Sequence, residues 1–257
     1  MHEPIVIVGI GEMGAVFAHA FLRIGRPVYP LIRGADPGEL SRAVPEPSLV
    51  LITVAEDALH RVLAGLPAAW RDRVGLVQNE LLPPDWARHD ITAPTVAIVW
   101  FEKKPGRATR VIIPTPVSGP SAALVVEALR SIDLPAEVIE SPDLAPALVA
   151  KNLYVLTGNI AGLRTGGTVA SLWADHRDFA RRVAEEILTI QQWLLGAPVD
   201  HPRAIAAMQA GFAGDPDHAT TGRSAPSRLA RALAYADEAG IAVPTLREIG
   251  REIGLSV

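Results

Sequence analysis

Near the N-terminus, Gly9-Ile10-Gly11-Glu12-Met13-Gly14 carries glycines in the spacing G-x-G-x-x-G. Such a run cradles a diphosphate when it follows a strand and opens a helix. The first glycine allows a tight turn, the second lets the pyrophosphate approach the backbone, and the third lets the helix lie close to the sheet. Here Ile5-Val6-Ile7-Val8 precedes it, and Met13, Val16, Phe17, Ala20, Phe21 and Ile24 follow at helical spacing until Gly25 and Pro27 end the pattern. These six residues are the expected dinucleotide cradle. The residue closing the second strand then chooses the cofactor, because a carboxylate suits a free ribose 2′-hydroxyl whereas an arginine can fork onto a 2′-phosphate. That residue is Arg33, with Asp36 three positions on, so NADP is the expected cofactor. A solvated loop arginine would look the same in sequence.

Hydride delivery to a carbonyl leaves an alkoxide that must be protonated, which requires a donor of tunable pKa. Lysine qualifies and arginine does not. The chain holds three lysines against 21 arginines, and Lys103 and Lys104 fall in a turn. The third, Lys151, lies within a helical pattern with Leu148 and Val155 on its own face. A lysine on an apolar stripe is either a snorkelling edge residue or a functional amine facing a cleft.

The elements that must position these groups divide in two. Residues 5–8, 28–32, 49–54, 74–78, 95–100, 110–113 and 136–139 read as strands alternating with helices, the pattern of a doubly wound α/β sheet. Gly106, between the runs at 96–101 and 110–113, predicts an antiparallel hairpin at the sheet edge. After Ser141-Pro142 the strand signal ends, and helices are expected over 141–163, 171–195, 203–212, 226–239 and 245–253. The expected organisation is a Rossmann domain over 1–141 and an all-helical domain over 142–257 that binds substrate and offers a surface for pairing two copies. Residues 214–222 read as a flexible loop.

Composition narrows the partners. A length of 257 residues with 49% apolar content supplies two cores, and the net charge of −4 argues against nucleic acid. Cysteine is absent, which excludes disulfides and thiolate metal sites and fits a reducing cytoplasm; no metal is expected. Met1-His2-Glu3-Pro4 carries no basic leader, and no apolar run is long enough to span a bilayer. The expected partner is a small-molecule substrate bound between the domains.

The order of fingerprint glycines, Arg33, Asn79 after the fourth strand, and Lys151 with Asn159 eight residues on resembles the ketopantoate reductases, within the wider 6-phosphogluconate and hydroxyacid dehydrogenase group. Gly240-Ile241-Ala242-Val243-Pro244 fits that family too, and the resemblance covers nearly the whole chain. It implies that Lys151 is the general acid, that Asn79 holds the nicotinamide side and substrate, and that Asn159 binds the substrate's polar end.

Three positions depart from the family pattern. Val155 stands where a second asparagine is usual, and Ala55 and Glu56 stand where a lysine commonly follows the third strand. Ser224 stands where a late glutamate is expected; it can still hydrogen-bond substrate, and equally it can neighbour a helix cap. These losses predict a more apolar pocket and a substrate other than ketopantoate. Two further readings stay open: a non-catalytic NADP-binding sensor, and a β-hydroxyacid, opine or imine dehydrogenase of the same architecture. His89-Asp90, Asp175-His176 and Asp217-His218 read as solvated loop pairs. Arg164 reads as either a carboxylate contact or a linker residue, and Trp173 and Trp193 as core or subunit-contact residues.

Overall fold

The computed structural model describes residues 3–255, so Met1 and His2, read above as lacking a leader, lie outside the described residues. The chain forms two compact units, Met1–Ala145 and Pro146–Val257. Among the described residues no helix is long and apolar enough to cross a membrane.

The first unit is built on a sheet of seven strands. In chain order its strands are β1 (Ile5–Val8), β2 (Val28–Leu31), β3 (Leu49–Ile52), β4 (Val74–Leu76), β5 (Thr95–Ala97), β8 (Thr115–Ser118) and β9 (Ala136–Val138). The spatial order is β2-β1-β3-β4-β5-β8-β9, with β6 (Phe101–Glu102) and β7 (Arg110–Val111) forming a separate two-stranded ribbon. Ile5 pairs with Val28 on one side and Leu49 on the other, and among the described residues only the β5–β8 pairing is antiparallel within the large sheet. Strands buried on both faces need continuous apolar runs, and Ile5-Val6-Ile7-Val8 and Leu49-Val50-Leu51-Ile52 are buried throughout. Helix α1 (Glu12–Arg23) packs Phe17 and Phe21, and α5 (Ala122–Arg130) packs Val125 and Leu129, into one core with Ile7 and Leu51. The remaining helices of this unit are α2 (Pro37–Ala43), α3 (Leu59–Ala64) and α4 (Pro83–Ala87).

The hairpin expected at the sheet edge is that separate ribbon, Phe101 opposite Val111. The antiparallel place beside β5 belongs to β8, which the sequence reading missed because Pro116 argues against a strand. Pro116 is accommodated because its carbonyl, and not an N–H, serves the neighbour: it accepts from the Ile98 N–H at 2.8 Å.

Helix α6 (Ser141–Thr165) crosses the division between the units, which falls at Pro146, where the ring removes one N–H from the helical ladder. Residues 148–158 of α6 are all buried, the mark of a helix packed on every side. Around it the second unit sets α7 (Val169–Asp175), α8 (Arg177–Leu195), α9 (His201–Gly214), α10 (Ala225–Ala239) and α11 (Pro244–Glu252). The single helix expected over 171–195 is thus broken at His176, where φ is −129°. Helix α11 lacks a capping side chain of its own; the Glu186 carboxylate, reaching from α8, accepts the N–H groups of Thr245 and Leu246, each at 2.9 Å.

The loop expected to be flexible is tied down. Val169 N–H donates to His218 O at 2.9 Å, and Thr220 N–H to Gly167 O at 3.0 Å. The Thr220 side chain is fully buried, and a Cβ on Gly162 would meet it at 2.6 Å, so the glycine lets α6 and this loop touch. Composition rich in Gly, Asp and Thr marked a loop; it could not show that the loop's backbone bonds another segment.

Candidate functional site

In the first unit β1 ends at Val8, and Gly9 turns the chain with φ +91°, its N–H donating to Leu31 O at 2.9 Å. Gly11 is the N-cap of α1. A Cβ on Gly14 would fall 2.2 Å from Gly9 O and 2.8 Å from Thr53 Oγ1, so this glycine is required for helix α1 to lie against the end of β3. A Cβ on Gly11 would meet nothing within 4 Å. The freedom there is towards the outside, where a ligand's phosphates could approach the exposed start of a twelve-residue helix. Ile10 and Glu12 are exposed and Met13 packs partly against the core.

Arg33 follows β2 and is exposed. Asp36 is occupied as the N-cap of α2, accepting from Gly38 N–H at 2.9 Å, and is therefore committed to the backbone. At the carboxyl ends of β3 and β4, the Gln78 amide donates to Ile52 O at 2.7 Å and to Val54 O at 3.1 Å. This staple places Asn79, whose Nδ2 donates to Glu56 Oε1 at 3.1 Å. Gly9 to Gly14 and Arg33 thus follow the carboxyl ends of the neighbouring strands β1 and β2, where the order reverses, and Asn79 follows that of β4, two strands from β1. Ligands of open α/β sheets bind at that crevice.

In the second unit Lys151 sits on α6 with 8% of its surface exposed. Burial, reinforced by the positive charge of Arg228, lowers its pKa from 10.5 to about 7. Its Nζ lies 5.2 Å from the centre of the Tyr154 ring, one turn further along. Its sequence neighbour Asn152 points elsewhere, donating to Gln191 Oε1 of α8 at 3.3 Å. Asn159 is partly buried, and its Oδ1 accepts from Arg228 Nη1 at 2.7 Å.

Arg228 is the residue the sequence reading overlooked. It is 8% exposed on α10, on the same stripe as Ala232 and Ala236. An arginine at i−4 from the apolar face was the available signal, of the same kind that singled out Lys151. It places a buried guanidinium beside Asn159, a group that the expectation of a more apolar pocket did not include. Ser224 is exposed at the N-terminal boundary of α10; its hydroxyl makes no capping bond, and its carbonyl accepts from Ser227 Oγ at 2.9 Å. The structure brings Lys151, Asn159 and Arg228 into one cluster and leaves Ser224 at the surface.

Asp175 and His176 are both exposed, as expected, but the other two histidines do not pair with their sequence neighbours. His218 pairs with Asp215, at 3.3 Å, rather than Asp217, and its ring lies 6.1 Å from that of Tyr154. His89 stacks on His60, with ring nitrogens 3.1 Å apart. Arg164 is engaged by Glu252 at 2.5 and 2.7 Å and by Glu248 at 3.0 Å, both carboxylates of α11. Trp173 packs its ring edge against Phe212.

No protein-family model and no curated protein sequence matches the chain. Solved structures do. A PanE/ApbA-family ketopantoate reductase from Ralstonia eutropha JMP134 superposes with TM-score 0.67 at 17% identity, covering 97% of each chain. A dimeric ketopantoate reductase from Staphylococcus aureus gives 0.66 at 15% identity, over 97% of each chain. D-mandelate dehydrogenase, solved with NADH and anilino(oxo)acetate, gives 0.65 at 13% identity over 96% of each. The chain therefore has the fold of these enzymes, a Rossmann domain followed by a helical one, in a sequence far removed from theirs.

Proposed function

We propose that the chain is an NADPH-dependent reductase that acts on the carbonyl of a small keto-acid-like molecule, with Lys151 as proton donor. The observation that carries this reading is the amine itself: Lys151 is held on a helix packed on every side, and its pKa of about 7 lets it give or take a proton near neutrality. The fold shared with ketopantoate reductases and with a D-mandelate dehydrogenase crystallised with NADH and an oxoacetate supports an oxidoreductase of this kind.

The residues of the first unit fit a dinucleotide. The open space over Gly11, the turn at Gly9 and the exposed start of α1 suit a pyrophosphate, and Arg33 suits a 2′-phosphate, with Asp36 already committed as a cap. Ile10, Glu12 and Met13 complete the loop, and Asn79 would hold the nicotinamide side. When bound, NADPH supplies the hydride. Lys151 donates its proton to the carbonyl oxygen as negative charge develops there, while Asn159 and Ser224 contact the polar end of the substrate. On this reading residues 1–141 bind the nucleotide and 142–257 bind substrate. A cytoplasmic homodimer paired through the helical half is part of the proposal, in keeping with the dimeric reductase among the structural neighbours.

The test is NADPH oxidation, followed by its fluorescence, against a panel of small 2-oxo acids, ketones and imines. Lys151→Ala should lower turnover by about 10² to 10⁴ with cofactor affinity nearly unchanged. Lys151→Arg should fail almost as badly, because a guanidinium does not release its proton. An active Lys151→Met variant would overturn the assignment and favour a dinucleotide sensor.

A further inference from the structure

We propose that Glu56 is a positioning residue of the cofactor site: its carboxylate fixes which end of the Asn79 amide is offered to a ligand, and so makes Asn79 an acceptor for the carboxamide N–H of a nicotinamide. The proposal rests on the dinucleotide reading above for the identity of the ligand, and on the first unit alone for the geometry. The backbone around Asn79 is held from both sides. Before it, the Gln78 side chain is used at both ends, its Nε2 donating to Ile52 O and Val54 O and its Oε1 accepting from the Val77 N–H at 3.1 Å. After it, Glu80 has φ +62°, a left-handed conformation that a residue with a long side chain keeps only when its surroundings impose it. Leu81 and Leu82 are then buried, and the Leu82 N–H is received by the Asp85 carboxylate at 2.8 Å.

With the backbone set, what remains open is the sense of the amide, whose oxygen and NH2 group have nearly the same shape. Glu56 decides it. This residue opens the short turn Glu56–Ala58 after β3, and its Oε1 lies 3.1 Å from Asn79 Nδ2. An ionised carboxylate accepts hydrogen bonds and donates none, so the NH2 group of Asn79 must be the end turned toward it. Further hydrogen bonds to Glu56 would not alter this, because each is one that the carboxylate accepts. Oδ1 is left as the other branch of the amide; among the described residues it accepts no hydrogen bond, and Asn79 is partly exposed. A fixed, open acceptor selects by chemistry: it gains from an N–H and is left unmet by a methyl group or a carbonyl oxygen. The nicotinamide carboxamide supplies such an N–H.

The experiment is titration calorimetry of the full-length chain with NADP⁺ and with its 3-acetylpyridine analogue, in which a methyl group replaces the carboxamide NH2. Both ligands carry the same ring charge and the same phosphates, so the ratio of their affinities is insensitive to the charge of Glu56 and to a general loss of binding. The wild type should favour NADP⁺ by about tenfold, the worth of one hydrogen bond whose acceptor is otherwise left unmet. Glu56→Lys presents only donors, turns the amide over and offers Nδ2, which can take a carbonyl oxygen from either ligand; the ratio should fall to within about twofold of unity. Glu56→Gln, whose side chain can accept or donate, should lie between. Glu56→Ala, which leaves the amide free to turn, should also fall below wild type while its melting temperature holds. A ratio unchanged in Glu56→Lys and Glu56→Ala overturns the proposal. If both dinucleotides bind the wild type without discrimination, the dinucleotide reading stands and the role of Glu56 falls; if neither binds, both fall. If the ratio follows Glu56 and no carbonyl compound is reduced, the positioning role stands and the reductase reading falls.

Discussion

The Lys151 ammonium lies 5.2 Å from the centre of the Tyr154 ring, and both residues are less than a tenth exposed. The ring face favours the charged amine, whereas burial and Arg228 disfavour it. With the balance near pH 7, carbonyl reduction, which needs the ammonium, should run at a plateau below about pH 7 and fall tenfold per unit above it. Alcohol oxidation should show the mirror profile. In Tyr154→Leu the ammonium loses the ring, so the midpoint should move down by roughly 0.4 to 1.5 units. A midpoint unchanged in that variant, read from initial rates across pH, would separate the ring from the titration.

The same group makes stability depend on pH. Lys151 has a folded pKa near 7 and an unfolded value near 10.5, so the unfolded chain binds more protons between those limits. Stability should therefore rise with pH across that window, and the cost of the buried charge is present in full below about pH 7. The limit is about 5 kcal/mol, reduced by whatever water reaches the site. Lys151→Met should flatten this dependence, and should be the more stable of the two at pH 6. Urea melts of both proteins at several pH values measure the difference.

Two glycines of the fingerprint should separate fold from ligand. A side chain at Gly11 meets no protein atom within 4 Å, so Gly11→Val should keep its melting temperature and lose NADPH binding, as read by tryptophan fluorescence. At Gly14 the new Cβ strikes the backbone at Gly9 O, and Gly14→Ala should cost roughly 1 to 3 kcal/mol of stability. Arg33→Ala should erase any preference for NADPH over NADH and leave NADH affinity as it was.

Ketopantoate should be a poor substrate, with kcat/KM below roughly 10⁴ M⁻¹s⁻¹. Val155 is buried and carries no amide, and Ser224 is at the surface with no charge to offer. A smaller 2-oxo acid should be turned over better in side-by-side rates.

What the sequence disclosed followed from how local each signal is. The strand, glycine turn and helix around Gly9 to Gly14 are contiguous, so spacing alone placed them. Lys151 stood out because lysine is rare in this chain and lies on an apolar stripe. Strand β8 was hidden by Pro116, whose missing N–H is harmless only because the neighbouring strand takes its carbonyl. The Arg228–Asn159 bond joins residues 69 positions apart, and nothing in either segment names the other. His218 was judged by its neighbour Asp217, while its partner is Asp215, three residues back on the turn.

The Gly240 to Pro244 segment, which in sequence reads as a family signature, is a corner. Gly240 ends α10 with φ +66°, Pro244 opens α11 where a missing N–H is harmless, and the N–H groups that follow are received by Glu186. Glu186 and this corner are therefore a single structural unit. The residues of the segment answer the demands of a helix junction, and a change at Glu186 should be felt as lost stability at this corner and not as a change in which substrate the protein takes.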